Sequence, residues 1–205
     1  FFHAEDGIRD SVASRGRGDV YKRQVWLCAA ISEVMPNDTV YSEETTSHRN
    51  AILQHVGWDE PQRYLHPTGG LGQGLGLALG AKLARPNSPV VALMGDGGFL
   101  YNPVTQSFGV AGEANLPRMT VVFNNGNYEA MRRNHLAYYP NGVAAQSDIW
   151  HGVHIPGPNY SQLVEPFGGY GEKVEDPAQL KQALQNGLNA VNEGRIALID
   201  VVLNK

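Results

Sequence analysis

Two short stretches of this chain combine the residue types and the spacing that could do chemistry. Gly95-Asp96-Gly97-Gly98 follows directly on the apolar run 90–94, and Asn124-Asn125-Gly126-Asn127 follows directly on a second strand-like stretch, 119–123. Continuous apolar runs of that length are expected of parallel strands buried on both faces. In open parallel sheets, ligands bind beyond the carboxyl ends of the strands. If the two strands are neighbours, Asp96 and Asn125 stand close together there. One carboxylate and one amide oxygen, completed by a backbone carbonyl, water and phosphate oxygens, make a hard-oxygen set suited to Mg²⁺. The glycines let phosphate oxygens approach backbone N–H groups with no Cβ in the way. The plainer alternative is a tight turn with an Asx cap, and the joint spacing counts against it.

The elements that must position these stretches alternate from Val25 onward. Helices are expected over residues 25–34, 46–56, 70–83, 103–113, 128–136, 160–167 and 177–191. Strands are expected over 39–42, 90–94, 119–123, 172–174 and 196–203. Residues from about 137 to 158 read as a loop rich in Tyr, Pro, Gly and Asn. In the helix 70–83, Leu71, Leu75, Ala78 and Lys82 share one side, and Gly72, Gly76 and Gly80 another. This alternation predicts an α/β three-layer sandwich, a mostly parallel sheet with helices on both faces.

Composition narrows the classes. The 205 residues are 42% hydrophobic and 18% charged, ordinary for a globular domain with a full core. The formal net charge of -4 offers no basic footprint for nucleic acid and no polybasic membrane patch. No apolar run approaches the roughly 20 residues of a membrane span. The single cysteine, Cys28, excludes an internal disulfide and a multi-cysteine metal site, and suits a reducing cytoplasm. It reads as a core residue of the first helix.

Residues 1–24 read differently from the rest. They have no apolar period, and Arg, Gly, Asp and Ser dominate. Residues 4–10 and 19–24 look like translated sequencing-library adapter, with Ser14-Arg15-Gly16-Arg17-Gly18 between them. A disordered natural tail is the alternative. On the adapter reading the selected protein is residues 25–205, with 11 Lys+Arg against 16 Asp+Glu, and its N-terminal domains are missing.

The combination of Gly95-Asp96-Gly97, an interval of 26 residues and Asn124-Asn125 resembles the signature of thiamine-diphosphate-dependent enzymes. A bare Gly-Asp-Gly is weak, and so is an Asn pair; their spacing at two strand ends is specific. The resemblance covers residues 25–205 as the C-terminal diphosphate-binding domain, closest to the branch of acetolactate synthase, benzoylformate decarboxylase and pyruvate decarboxylase. It implies the cofactors thiamine diphosphate and Mg²⁺. Asp96 and Asn125 would ligate the metal by side chain and Asn127 by its carbonyl oxygen. Gly97 and Gly98 would meet the diphosphate through N–H groups, with Thr46 and Ser47 on its other side. Thr68-Gly69-Gly70-Leu71-Gly72 would grip the aminopyrimidine, with Leu71 as the apolar wedge that bends the cofactor so that its amino group reaches the thiazolium C2. Tyr101 and Tyr128 would line the pocket. The activating Glu belongs to the missing N-terminal domain of a partner subunit, so this chain holds no catalytic residue and would be inactive alone.

The activity implied is decarboxylation or cleavage of a 2-oxo acid or acyloin via a C2 ylid, with an acetolactate-synthase-type carboligating transferase as the alternative. The substrate would be a small 2-oxo acid or aldehyde, and the assembly a cytoplasmic homodimer or homotetramer. A reading of a different class is a non-catalytic phosphate- or nucleotide-binding α/β module. The dinucleotide pattern G-x-G-x-x-G fails, because Leu75 stands where the third glycine belongs, and no convincing strand precedes it. Helix capping competes with phosphate contact at Thr46 and Ser47. His151-x-x-His154 lacks a third ligand and reads as surface or pocket structure. His135, Tyr138 and Tyr139 could face substrate, and Glu43 and Glu44 read as structural.

Overall fold

The computed structural model describes residues 18–203. Six strands form one sheet: β1 Val40–Glu44, β2 Tyr64–Leu65, β3 Val90–Gly95, β4 Met119–Asn124, β5 Tyr170–Val174 and β6 Ala197–Val202, in the order β2-β1-β3-β4-β6-β5. Every neighbouring pair is parallel. The pleat sends alternate side chains to opposite faces. Val91 and Leu93 of β3 enter one apolar core, together with Met119, Val121 and Phe123 of β4 and Ile199 of β6. Val90, Ala92 and Met94 enter the other, with Val122 and Leu198.

Helices cover both faces. On the first lie α1 Gly18–Val34, α2 Arg49–His55 and α8 Leu180–Asn192, contributing Leu27, Cys28, Ile31, Ile52 and Leu184. On the second lie α3 Gly74–Ala84, α5 Val104–Glu113 and the 3₁₀ helix Tyr160–Phe167, contributing Leu75, Ala78, Phe108, Tyr160 and Val164. Each large aliphatic side chain so buried contributes about 1.5–3 kcal/mol. The three-layer α/β sandwich expected from the sequence is present, and its sheet is wholly parallel. Cys28 is fully buried in the first core, and burial pushes its thiol up to about 12.

Several boundaries differ from expectation. The helix expected from residue 70 begins at Gly74, because Gly69 and Gly72 take left-handed φ values of 91° and 95°, which break helical hydrogen bonding. The helix expected from residue 46 begins at Arg49, after Thr46 turns through φ 44°. A two-residue edge strand, β2, does precede the glycine cluster. The glycine-rich stretch after β3 forms a short helix, α4 Asp96–Tyr101, that is not among the helices expected from the sequence. Beyond α6 Glu129–Tyr138, the expected loop carries one more helix, α7 Val143–Ser147. The segment over 160–167 is 3₁₀, and Pro177–Gln179 is a 3₁₀ turn ahead of α8. Helix α1 runs across Val25 from Gly18, with Gln24 buried and Arg23 Nη1 donating to the Leu203 carbonyl at 3.4 Å. Residues 1–17 of the atypical N-terminal segment lie outside the described residues. No helix among the described residues is long and apolar enough to cross a membrane.

Candidate functional site

Strands β3 and β4 are direct neighbours, with Gly95 opposite Phe123. Their ends therefore deliver Asp96 and Asn125 side by side. The Asp96 carboxylate is 2% exposed; Oδ1 accepts from its neighbour Gly97 N–H at 2.8 Å, and Oδ2 from Gly126 N–H at 2.6 Å. That second bond ties the loop after β4 to the first turn of α4. Burial raises the Asp96 carboxyl to about 6, against the pull of the backbone N–H groups around it. Asn125 is also buried; its Oδ1 accepts from Asn127 N–H at 2.9 Å, and Asn127 Nδ2 donates to the Asn125 carbonyl at 2.9 Å. From outside, Ile155 N–H donates to the Gly126 carbonyl and Tyr128 N–H to the Val153 carbonyl. The turn is held on both sides.

Beside it opens a cavity of about 220 Å³, lined by Thr46, Ser47, Leu71, Asp96, Gly97, Gly98, Tyr101, Asn127 and Tyr128 among others. The structure thus gathers most of the residues singled out in the sequence onto one wall. Asn125, Gly69 and Gly70 are not among the lining residues. Two glycines are required by contact. A Cβ on Gly97 would come within 2.6 Å of the Tyr128 ring, and one on Gly98 within 2.9 Å of the Glu44 carbonyl. Tyr101 and Tyr128 meet edge to face at 6.3 Å, with Tyr101 largely exposed. Neither Thr46 nor Ser47 caps α2: the residue before the helix is His48, and it makes no side-chain cap. Their hydroxyls are not committed to a helix end. Thr46 holds a left-handed conformation, uncommon for a β-branched residue and frequent where a site demands it.

Around the site lie further buried polar residues, of which His48 was not singled out by the sequence. His48 is 1% exposed, lies against the Phe123 ring at 5.4 Å, and places Nε2 3.4 Å from Asn125 Nδ2. Burial, then the Arg133 charge, lowers its pKa to about 4, so it is neutral at pH 7. Asn124 accepts from Gly126 N–H and donates to the fully buried Asp200 on β6 at 2.9 Å. The pleat sends Glu43 and Glu44 to opposite faces. Glu43 meets Arg49 at 2.9 Å, Tyr64 at 2.9 Å and His66 at 3.2 Å. Burial alone would raise its carboxyl, but hydrogen bonds from Thr45 and Tyr64 and the Arg49 charge outweigh it and hold the group below the carboxylate range. Glu44 turns toward α3 and accepts the N–H groups of Gly72, Gln73 and Gly74. A carboxylate therefore already fills the helix N-terminus at which a dinucleotide pyrophosphate would sit. This removes the structural basis for a dinucleotide site at the glycine cluster.

The histidine pair does not converge. His151 lines an open surface hollow with His135, Tyr139 and Val143, whereas His154 bridges to Asn127. Among the described residues no three His, Cys, Asp or Glu side chains are grouped to hold a metal. By chemistry alone, one buried carboxylate with amide and carbonyl oxygens on the adjoining turn would fit a cation that draws its remaining ligands from a phosphate and water.

Comparison with known proteins agrees with this geometry. The family model for the thiamine pyrophosphate enzyme C-terminal TPP-binding domain matches residues 44–201. The chain is 31% identical over 172 residues to the benzoylformate decarboxylase of Pseudomonas aeruginosa, covering 83% of this chain and 30% of that protein. It is 27% identical over 166 residues to the acetolactate synthase isozyme 2 large subunit of Escherichia coli, covering 80% and 29% respectively. Among solved structures, the thiamine diphosphate-dependent 4-hydroxybenzoylformate decarboxylase of Rhodococcus jostii superposes with a TM-score of 0.77 at 28% identity, covering 88% of this chain and 32% of that one. The chain thus spans about a third of the length of these relatives. A parallel sandwich with a buried aspartate bonded to an asparagine turn, and a family match across that whole region, make this chain a member of the C-terminal thiamine-diphosphate-binding domain family, whose enzymes use thiamine diphosphate with Mg²⁺.

Proposed function

We propose that this chain is the cofactor-anchoring part of a thiamine-diphosphate- and Mg²⁺-dependent enzyme that decarboxylates or cleaves a 2-oxo acid or acyloin. The observation that carries the reading is the bond from Gly126 N–H to Asp96 Oδ2, which joins the two strand-end motifs on the wall of the Thr46–Ser47–Leu71 cavity. Asp96 and Asn125 hold Mg²⁺ by side chain and Asn127 by its carbonyl oxygen. Gly97 and Gly98 offer N–H groups to the diphosphate, and Thr46 and Ser47 their hydroxyls. Gly69, Gly70 and Leu71 bear on the aminopyrimidine, and Tyr101 and Tyr128 close the pocket. When bound, thiamine diphosphate would supply a nucleophilic carbon and an electron sink for the pair left by the broken C–C bond.

A volume of about 220 Å³ is below the roughly 300–1,000 Å³ of a complete ligand pocket. We read it as part of a site, completed by an N-terminal domain of a partner subunit that brings the activating Glu. The assembly is a homodimer or homotetramer in the cytoplasm, and this chain alone does not turn over. Residues 1–24 are adapter-derived, and finding them encoded at the genomic locus would refute that. The similarity to an acetolactate synthase supports carboligation as the competing outcome.

The test takes the full-length gene product. Thiamine diphosphate with Mg²⁺ is expected to raise its melting temperature, whereas a nucleotide without metal is not. A shift with nucleotide alone would instead support a non-catalytic phosphate-binding module. Incubation with pyruvate, benzoylformate and aldehydes, followed for CO₂ and acyloins, separates decarboxylase from carboligase.

A further inference from the structure

Helix α3 has no local cap: Gln73, the residue before it, makes no side-chain cap hydrogen bond. The N–H groups that a cap would satisfy are taken by side chains from distant segments. Glu44 Oε2 accepts from Gly74 at 2.5 Å and Gln73 at 3.1 Å, and Oε1 accepts from Gly72 at 2.6 Å. Asn102 Oδ1 accepts from Leu75 N–H at 3.0 Å. Asn102 Nδ2 in turn donates to Glu44 Oε2 at 3.2 Å and to the Gly98 carbonyl at 2.8 Å. Both side chains are buried. The pair joins the end of β1, the start of α3 and the helix that carries Asp96.

Three glycines leave room for this junction. A Cβ on Gly74 would come within 2.8 Å of Glu44 Oε2, one on Gly98 within 2.9 Å of the Glu44 carbonyl, and one on Gly72 within 2.7 Å of the Tyr101 carbonyl. Leu71 stands between Gly70 and Gly72, a flanking that gives the backbone wide freedom. Its place on the cavity wall is fixed from one side by the bonds that Glu44 makes to the next three residues.

We propose that Glu44, acting through Asn102, is a positioning residue that sets where Leu71 stands relative to Asp96 and Gly98. The inference rests on the function proposed above, in which Leu71 bears on the organic part of the cofactor and Asp96 on its metal-bound diphosphate. Glu44 links those two halves of the wall. Its loss therefore weakens recognition of the organic part while the metal-diphosphate part is kept.

The test compares wild-type full-length protein with Glu44→Gln and, as a comparator that leaves the junction intact, Leu71→Ala. Affinity is measured by calorimetry for thiamine diphosphate with Mg²⁺ and, separately, for inorganic pyrophosphate with Mg²⁺. Losing charge-assisted hydrogen bonds to ordered backbone predicts that Glu44→Gln weakens thiamine diphosphate about tenfold or more, with pyrophosphate changed less than about twofold. Leu71→Ala should show the same selectivity. Equal weakening of both ligands by Glu44→Gln, or no weakening of either, overturns the proposal.

Amide exchange on the wild type decides the case if the variant does not fold. Protected N–H groups at Gly72 and Gly74 support the junction, and exchange as fast as an open loop overturns it. Failure of the wild type to bind thiamine diphosphate would remove the functional reading on which the inference rests. Wild-type binding that Glu44→Gln leaves intact removes the inference alone.

Discussion

Two regions at the carboxyl end of the sheet, adjacent in sequence, are built in opposite ways. The turn from Asn124 to Asn127 is pinned by Asp96, by its own side chains and by residues 153–155. Helices α6 and α7, which follow it, contain no buried residue at all. Met131, Tyr138 and Val143 on these helices, and Tyr139 and Ile149 just beyond their ends, stand exposed, Tyr138 at 81% and Val143 at 83%. The turn thus draws the hydrogen bonds named above from within this chain. Exposed apolar side chains gathered on neighbouring helices are a feature of interaction surfaces. On the function proposed above, the contrast places the metal and diphosphate end of the site in the pinned turn and leaves the exposed side of α6 and α7 outside it.

Four outcomes would sharpen or break that contrast. The largest is expected from Asp96→Ala, which removes the central acceptor of the turn. It should abolish the thermal shift given by thiamine diphosphate and Mg²⁺, exceeding the roughly 10- to 100-fold loss typical of an outer metal partner. A retained shift would mean that the turn is not the anchor.

Next is Glu43→Ala, which strands Arg49, Tyr64 and the Thr45 N–H. Because Arg49 is partly open to water, the cost is set by the lost hydrogen bonds, about 2 kcal/mol in urea unfolding. A change in cofactor affinity with unaltered stability would contradict a structural role for Glu43.

Asp200→Asn is smaller. Asp200 lies on β6 and reaches the turn only through Asn124, so Mg²⁺ affinity should fall about tenfold with the fold retained. Affinity equal to wild type would show that Asn124 needs no support from behind.

The smallest effect belongs to the exposed region. Tyr138→Ser and Val143→Ser should each leave the unfolding free energy of this domain within about 0.5 kcal/mol. In the full-length protein, size-exclusion chromatography would reveal weakened assembly if this face is where another chain packs. A large loss of domain stability would erase the distinction between the two regions.

The legibility of the sequence follows the same division. Strands β3, β4 and β6 are legible because burial on both faces favours mostly apolar stretches, interrupted only by Thr120 in β4 and Asp200 in β6, and the motif residues stand directly at two of their ends. Strand β2 gave no signal, since Tyr64 and Leu65 are too few to show a period. The start of α3 was misplaced because Gly69 to Gly72 fit a helical pattern of apolar spacing while their backbone turns left-handed. Asp96 and Asn125 were legible as a pair; the groups supporting them were not. Glu44 reaches residues 28 to 30 positions away, Asn124 reaches Asp200 across 76, and Asn125 meets His48 across 77. Such partnerships leave no local pattern, since only the strand order brings their members together.

The strand order has a further consequence for how the molecule behaves in concentrated solution. An unpaired strand edge is a template on which another chain can add, and long flat apolar edges seed aggregation. Here one outer strand is the two-residue β2, too short to guide an incoming strand. The other, β5, carries Glu172 and Lys173, with Lys173 paired to Glu175 just beyond its end. The central strands, apolar enough to be hazardous, are all interior to the sheet. Self-association of the folded domain should therefore run through side-chain surfaces, such as the exposed face of α6 and α7, and not through growth of the sheet.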